Sequence, residues 1–102
     1  MDIAIIYTTL SSHAQAQKLL DSLLEQKIVA CGVLLDAKSA YFWEGAVVRQ
    51  GEVVLVCKTA TDKTSLAQER IQDLHPYDVP CILSWDVSAN DAYAHWVREE
   101  TR

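Results

Sequence analysis

Apolar residues along the chain fall into short β-branched runs separated by stretches with helical spacing. Ile3, Ala4, Ile5, Ile6 and Tyr7 form the first run, which ends at Thr8 and Thr9 and reads as a buried strand. Ala16, Leu19, Leu20, Leu23 and Leu24 then recur on one helical face, with Gln17, Lys18, Asp21, Ser22 and Glu25 opposite. Ser12 with Gln15 three positions later supplies a capping box at the helix start, and His13 is read as part of that cap rather than as catalytic. A second strand runs from Ile28 to Leu35, is interrupted by Asp36 to Ser39, and resumes at Tyr41, Phe42 and Trp43. Glu44 and Gly45 then supply a turn. The return limb has Val47 and Val48, a polar break at Arg49 to Gly51, and the strong strand Val53 to Cys57 ending at Lys58 and Thr59. Together these limbs make a long, bent hairpin arm.

Asp62 is placed to cap a second helix with Ala67, Ile71 and Leu74 inside, and Pro76 ends it. Pro80 leads into a fourth strand, Cys81 to Val87, and Ser88 or Asn90 caps a short last helix with Tyr93, Trp96 and Val97 on its apolar face. The order is strand, helix, strand, strand, helix, strand, helix. Two interleaved βαβ units joined by a hairpin predict an α+β domain over residues 1–102, a ferredoxin-like plait plus a C-terminal helix. Right-handed crossovers put both long helices on one face of the sheet. The strands nevertheless do not alternate apolar with polar: in Ile3 to Tyr7, Ile28 to Leu35 and Val53 to Cys57 both parities are apolar. A monomer would leave a large apolar patch bare, so self-association is expected, with the arm reaching a neighbour.

Composition narrows the partners. Nine Lys and Arg against fourteen Asp and Glu give a net charge of −5 with no cationic cluster, which argues against nucleic acid. The longest apolar run is far below the roughly 20 residues that span a bilayer, and no signal peptide is visible, so a cytoplasmic location without membrane contact is expected. Cys31, Cys57 and Cys81 are odd in number and widely spaced, and are expected to be buried free thiols. No phosphate-cradling glycine motif, GxSxG elbow or HExxH motif is present, so no enzymatic activity is expected and no catalytic residues are assigned. Trp85 and Trp96 are expected to be packing anchors.

The distinctive cluster is His75, Pro76, Tyr77, Asp78, Val79, Pro80 and Cys81, where two prolines confine four polar or ligating side chains. From its chemistry alone, a rigid loop with His75 and Tyr77 hydrogen-bonded to nearby backbone is the simplest expectation. At this loop the sequence resembles the CutA family of divalent-cation-tolerance proteins. The resemblance extends over nearly the whole chain, through Thr8-Thr9, Ala30-Cys31, Tyr41 to Gly45, Glu52 to Thr59, and Tyr93 with Trp96. It implies a PII-like homotrimer, a link to copper and other divalent cations, no established reaction and no required cofactor.

Three positions depart from the usual family pattern. Cys81 stands where many relatives have Glu, Phe42 and Trp43 replace a Trp pair, and no Asn follows Ala30-Cys31 closely. A thiolate at Cys81 would favour Cu(I) or Zn over harder cations. The resemblance therefore implies weak copper or zinc binding where the loop meets a neighbour's arm. His75 and Cys81 are the metal candidates, and Trp43, Lys58 and Tyr77 are the expected cleft lining. Two alternatives come from other functional classes: a PII-like sensor of a small anionic ligand held through Lys58, and a trimeric scaffold without a metal role.

Overall fold

The alternating strand and helix signals are realised as β1 (Asp2–Leu10), α1 (His13–Glu25), β2 (Cys31–Trp43), β3 (Ala46–Thr59), a 3-10 turn (Thr61–Lys63), α2 (Thr64–Leu74), β4 (Ile82–Ser88) and α3 (Asp91–Glu100). These elements belong to a computed structural model that describes residues 1–102. The sheet order is β2-β3-β1-β4, with every neighbouring pair antiparallel, which is the expected plait.

Registers of Ile6 opposite Cys57 and Ser84, and of Thr8 opposite Leu55 and Ile82, define the helix-covered face. Ile6, Leu10, Val53, Leu55 and Cys57 pack there against Ala16, Leu19, Leu20 and Leu23 of α1 and Ala67 and Ile71 of α2. Gly32 lies where α1 packs on β2, and a Cβ there would come within 2.5 Å of Leu20 Cδ1, so a larger residue would require the Leu20 side chain to shift.

The opposite face carries Ile5, Tyr7, Val33, Leu35, Val54, Val56, Leu83 and Trp85, as pleat alternation requires. α3 covers only one end of it, packing Ala94 and Val97 on Ile3, with Val87 and Tyr93 at the margin. Beyond α3, Leu35 and Leu83 are each 51% exposed, Trp85 47% and Val33 41%. The apolar face inferred from the strand composition is therefore present and largely uncovered in the single chain.

Several local expectations are corrected. Leu24 and Leu74 are exposed, because the apolar stripes of α1 and α2 are one position narrower than the spacing suggests. Trp96 and Trp85 are about half exposed and anchor no core within the chain. Asp62 makes no side-chain cap; it lies in the 3-10 turn, and the Thr64 hydroxyl donates to the Thr61 carbonyl instead. Of the three cysteines only Cys57 is buried, Cys31 being half-buried and Cys81 exposed. β2 begins at Cys31 rather than Ile28, although Ile28 and Val29 are buried ahead of it. Its polar stretch does not interrupt it: Lys38 pairs with Gly51 and Ser39 with Gln50, so the two polar breaks face each other inside a continuous hairpin. The turn at Glu44 (φ 51°) and Gly45 (φ 81°) has the left-handed pair that a two-residue hairpin loop demands.

Candidate functional site

α2 ends at Leu74, and His75 follows as its C-cap in extended geometry, as the residue before Pro76 should be. This turns the imidazole back under the end of β1. His75 Nε2 lies 2.8 Å from the Thr9 carbonyl oxygen, and the Tyr77 amide donates to His75 Nδ1 at 3.1 Å. An Nδ1 that accepts cannot carry the proton, so the ring is the neutral Nε2–H tautomer and donates to Thr9. Burial lowers the His75 pKa below its ordinary value, against the smaller upward pull of the Thr9 bond and the Glu52 charge. The ring packs edge-on against Tyr77 with centroids 4.7 Å apart.

Tyr77 extends the cluster. Its hydroxyl donates to Glu52 Oε2 at 2.9 Å and accepts from the Ser11 hydroxyl at 3.0 Å. The other carboxylate oxygen of Glu52 accepts from the Ser39 hydroxyl. Burial raises the Tyr77 pKa, and its bond to Glu52 and that residue's charge push the same way, while the Ser11 bond opposes them. Glu52 is buried, yet no cation stands within ion-pairing distance of it. Its parity with Val54 and Val56 places it on the uncovered face, where the arm leaves the sheet. Ser11, Ser39, Glu52, His75 and Tyr77 thus come from four separate segments and form one hydrogen-bonded patch beside the bare apolar surface.

Glu52 escapes sequence reasoning because its partners become neighbours only through the sheet register. Its traces in the sequence are a charged residue opening an otherwise apolar strand and its place at the head of the Glu52 to Thr59 stretch, neither of which names its partners. The other candidates are dispersed. Cys81 is exposed, one residue before β4, and Ile82 pairs with Thr8, so the thiol sits at the Thr9 end of the sheet near the His75 loop. Trp43 lies at the arm tip opposite Ala46, six residues along β3 from Glu52, about 20 Å at strand rise. Lys58 lies six residues the other way, opposite Ile5 and Cys31, beside α3. Tyr77, Trp43 and Lys58 therefore do not share a cleft within one chain.

For a metal ion, the donor set of one chain is incomplete. Both His75 nitrogens are committed, and no three His, Cys, Asp or Glu side chains converge. A closed site would need donors from a second chain and the release of one His75 hydrogen bond. Cys31 is held separately, 3.2 Å from the Tyr93 hydroxyl beneath α3; burial first and the thiol second push the Tyr93 pKa up to about 12. No helix is long and apolar enough to cross a membrane.

With this geometry in view, the chain compares closely with known proteins. Residues 4–100 match the family described as CutA1 divalent ion tolerance protein. The divalent-cation tolerance protein CutA of Pyrococcus horikoshii is 39% identical over 96% of this chain and 97% of its own length. The protein of the same name from Pectobacterium atrosepticum is 37% identical over 99% and 94%. Among solved structures, the divalent ion tolerance protein CutA1 of Ehrlichia chaffeensis superposes with a TM-score of 0.95 at 34% identity, covering 98% of this chain and 95% of that one.

Proposed function

Because the chain belongs to the CutA1 family of divalent ion tolerance proteins, we propose that it acts in divalent-cation tolerance as a cytoplasmic homotrimer, without catalysing a reaction. The observation that carries this proposal is the uncovered apolar face bordered by the Glu52–Tyr77–His75 patch and the arm. Sister subunits laid on that face would remove the exposed halves of Leu35, Leu83 and Trp85 from water, contributing about 1 kcal/mol for each. They would also bring one subunit's HPYDVP loop against another's arm. Trp43, Lys58 and Tyr77, dispersed in one chain, then line a shared cleft from different subunits. Three thiols with no disulfide between them suit a reducing compartment.

In that cleft the exposed Cys81 is the accessible soft donor, and His75 coordinates only when the Tyr77 amide or the Thr9 carbonyl releases its ring. Copper as Cu(I), or zinc, is the cation such a donor set selects. Affinity is expected to be weak, because opening a His75 hydrogen bond costs about 1–3 kcal/mol. Calorimetric titration with zinc and with Cu(I) tests the proposal: the native protein binds, and Cys81→Ser weakens binding at least tenfold while leaving the circular dichroism spectrum unchanged. Absence of binding by the native protein, or equal affinity in Cys81→Ser, removes the metal assignment.

A further inference from the structure

At the end of the sheet remote from the His75 loop, a groove of about 490 Å³ lies between the 3-10 turn and the C-terminal end of α3. It is lined by Ala60, Thr61, Asp62, Lys63, Arg98, Thr101 and Arg102. Three cationic side chains and one carboxylate line it, and with Glu99 paired to Arg102 at its rim the site keeps a single excess positive charge on a chain of net charge −5. Buried residues hold both walls. The Thr59 hydroxyl donates to the Ile28 carbonyl at 2.6 Å, Ala60 is buried, and its carbonyl accepts from the Lys63 amide at 2.9 Å. On the α3 side, Thr101 is 1% exposed and its hydroxyl donates to the Val97 carbonyl at 2.9 Å. That bond satisfies one of the carbonyls at the helix end; the negative end of the α3 dipole still opposes an anion, and the cations must outweigh it.

Lys63 and Arg98 are not ion-paired; the one polar contact of the Arg98 side chain is Nη1 to Met1 Sδ at 4.0 Å. Arg102 Nη1 donates to both oxygens of the exposed Glu99, at 2.9 and 3.0 Å, a pair an incoming ligand must share or displace. The Thr61 hydroxyl adds a donor at the groove wall. Two guanidinium groups, an ammonium and a hydroxyl form a donor-rich lining suited to phosphoryl oxygens, which guanidinium forks grip in bidentate fashion. Asp62 repels any anion, and a polyanion more than a monoanion, so the ligand must carry several negative charges in a short span to engage all three cations and outweigh that repulsion.

We propose that this groove binds a polyphosphate-bearing anion, such as the di- or triphosphate group of a metabolite, through Lys63, Arg98 and Arg102. The site is independent of the His75 and Cys81 cleft and does not rest on metal binding.

Sodium tripolyphosphate serves as the probe, with the full chain in EDTA and at ionic strength matched by chloride, so that neither metal chelation nor general screening contributes. The native protein is expected to show a saturable rise in Tm. The amide resonances of Thr61, Lys63 and Thr101 are expected to shift along the same titration. Lys63→Gln with Arg98→Gln weakens binding tenfold or more, Lys63→Gln alone weakens it by a smaller factor, and Lys18→Gln on the outer face of α1 leaves it unchanged. No saturable response in the native protein overturns the proposal. So does native affinity in the Lys63 and Arg98 variants, or an equal loss in Lys18→Gln, which would reveal only the field of the whole surface.

Discussion

His75 has one proton to place, and its two hydrogen bonds decide where. Protonating Nδ1 would set a cation against the Tyr77 amide that now donates to it, and burial adds to the cost. The folded imidazole therefore titrates below its ordinary 6.5, and the unfolded chain takes up the proton first as pH falls. Stability from this residue is complete above about pH 6.5 and is lost as pH drops through 6.5 toward the lower folded value. Thermal melts between pH 7.5 and 5 should show a steeper fall in Tm for the native protein than for His75→Gln, whose amide can still donate to Thr9 but does not titrate. Parallel slopes would contradict the neutral tautomer. The loop holding this residue is legible in the sequence, since two prolines in five residues and a His-Tyr pair announce a rigid connector; His75 does bond backbone, at the Thr9 carbonyl, but the Tyr77 hydroxyl bonds the side chains of Ser11 and Glu52 rather than nearby backbone. Glu52 is not legible. Its bonds to Ser39 and Tyr77 exist only after β2 and β3 pair and the loop folds back, and no local pattern encodes that convergence.

α1 shows how a helix end is fixed by backbone geometry that composition only hints at. The Ile28 amide donates to the Leu23 carbonyl and the Lys27 amide to the Leu24 carbonyl, both at 3.0 Å, with Lys27 left-handed at φ 58°. This is the Schellman arrangement, and the accompanying apolar contact is met by Leu23 and Ile28 within the same core cluster. A lysine occupies the position that favours glycine, so Lys27→Gly should stabilise the fold by about 1 kcal/mol, read as a higher urea midpoint at unchanged m-value. A lower midpoint would show that the lysine side chain contributes more than its backbone conformation costs. At this scale the element order and the helix face of the sheet follow from the apolar pattern. The arm follows from it too, but the unbroken pairing of the arm does not, because its strands lie beyond both helices and have no core to alternate against. The polar residues Lys38, Ser39, Arg49 and Gln50 then sit in paired strands as readily as apolar ones. The narrower stripes of α1 and α2 show that Leu24 and Leu74 lie on the flanks of their helices: Leu23, beside Leu24, is fully buried, whereas Leu24 and Leu74 are exposed.

In the whole molecule, the hairpin arm gives the chain an extent of 45 Å along its longest axis against 24 and 21 Å across. Phe42, at 77% exposure near the arm tip, and the row of Leu35, Leu83 and Trp85 on the bare face contribute apolar surface that a soluble monomer rarely keeps. The strand composition, apolar in both parities, had already required a cover for that face. The positive groove at the opposite end of the sheet was invisible in the net charge, because its cations come from the 3-10 turn and α3, elements far apart in sequence. The proposed clefts depend on the bare face meeting sister subunits. The most direct measurement is the solution mass by sedimentation equilibrium at micromolar concentration. A homotrimer predicts three times the 11.4 kDa chain mass, with dissociation promoted by Leu35→Asp or Trp85→Asp on the bare face. A stable species at the mass of one chain would contradict it.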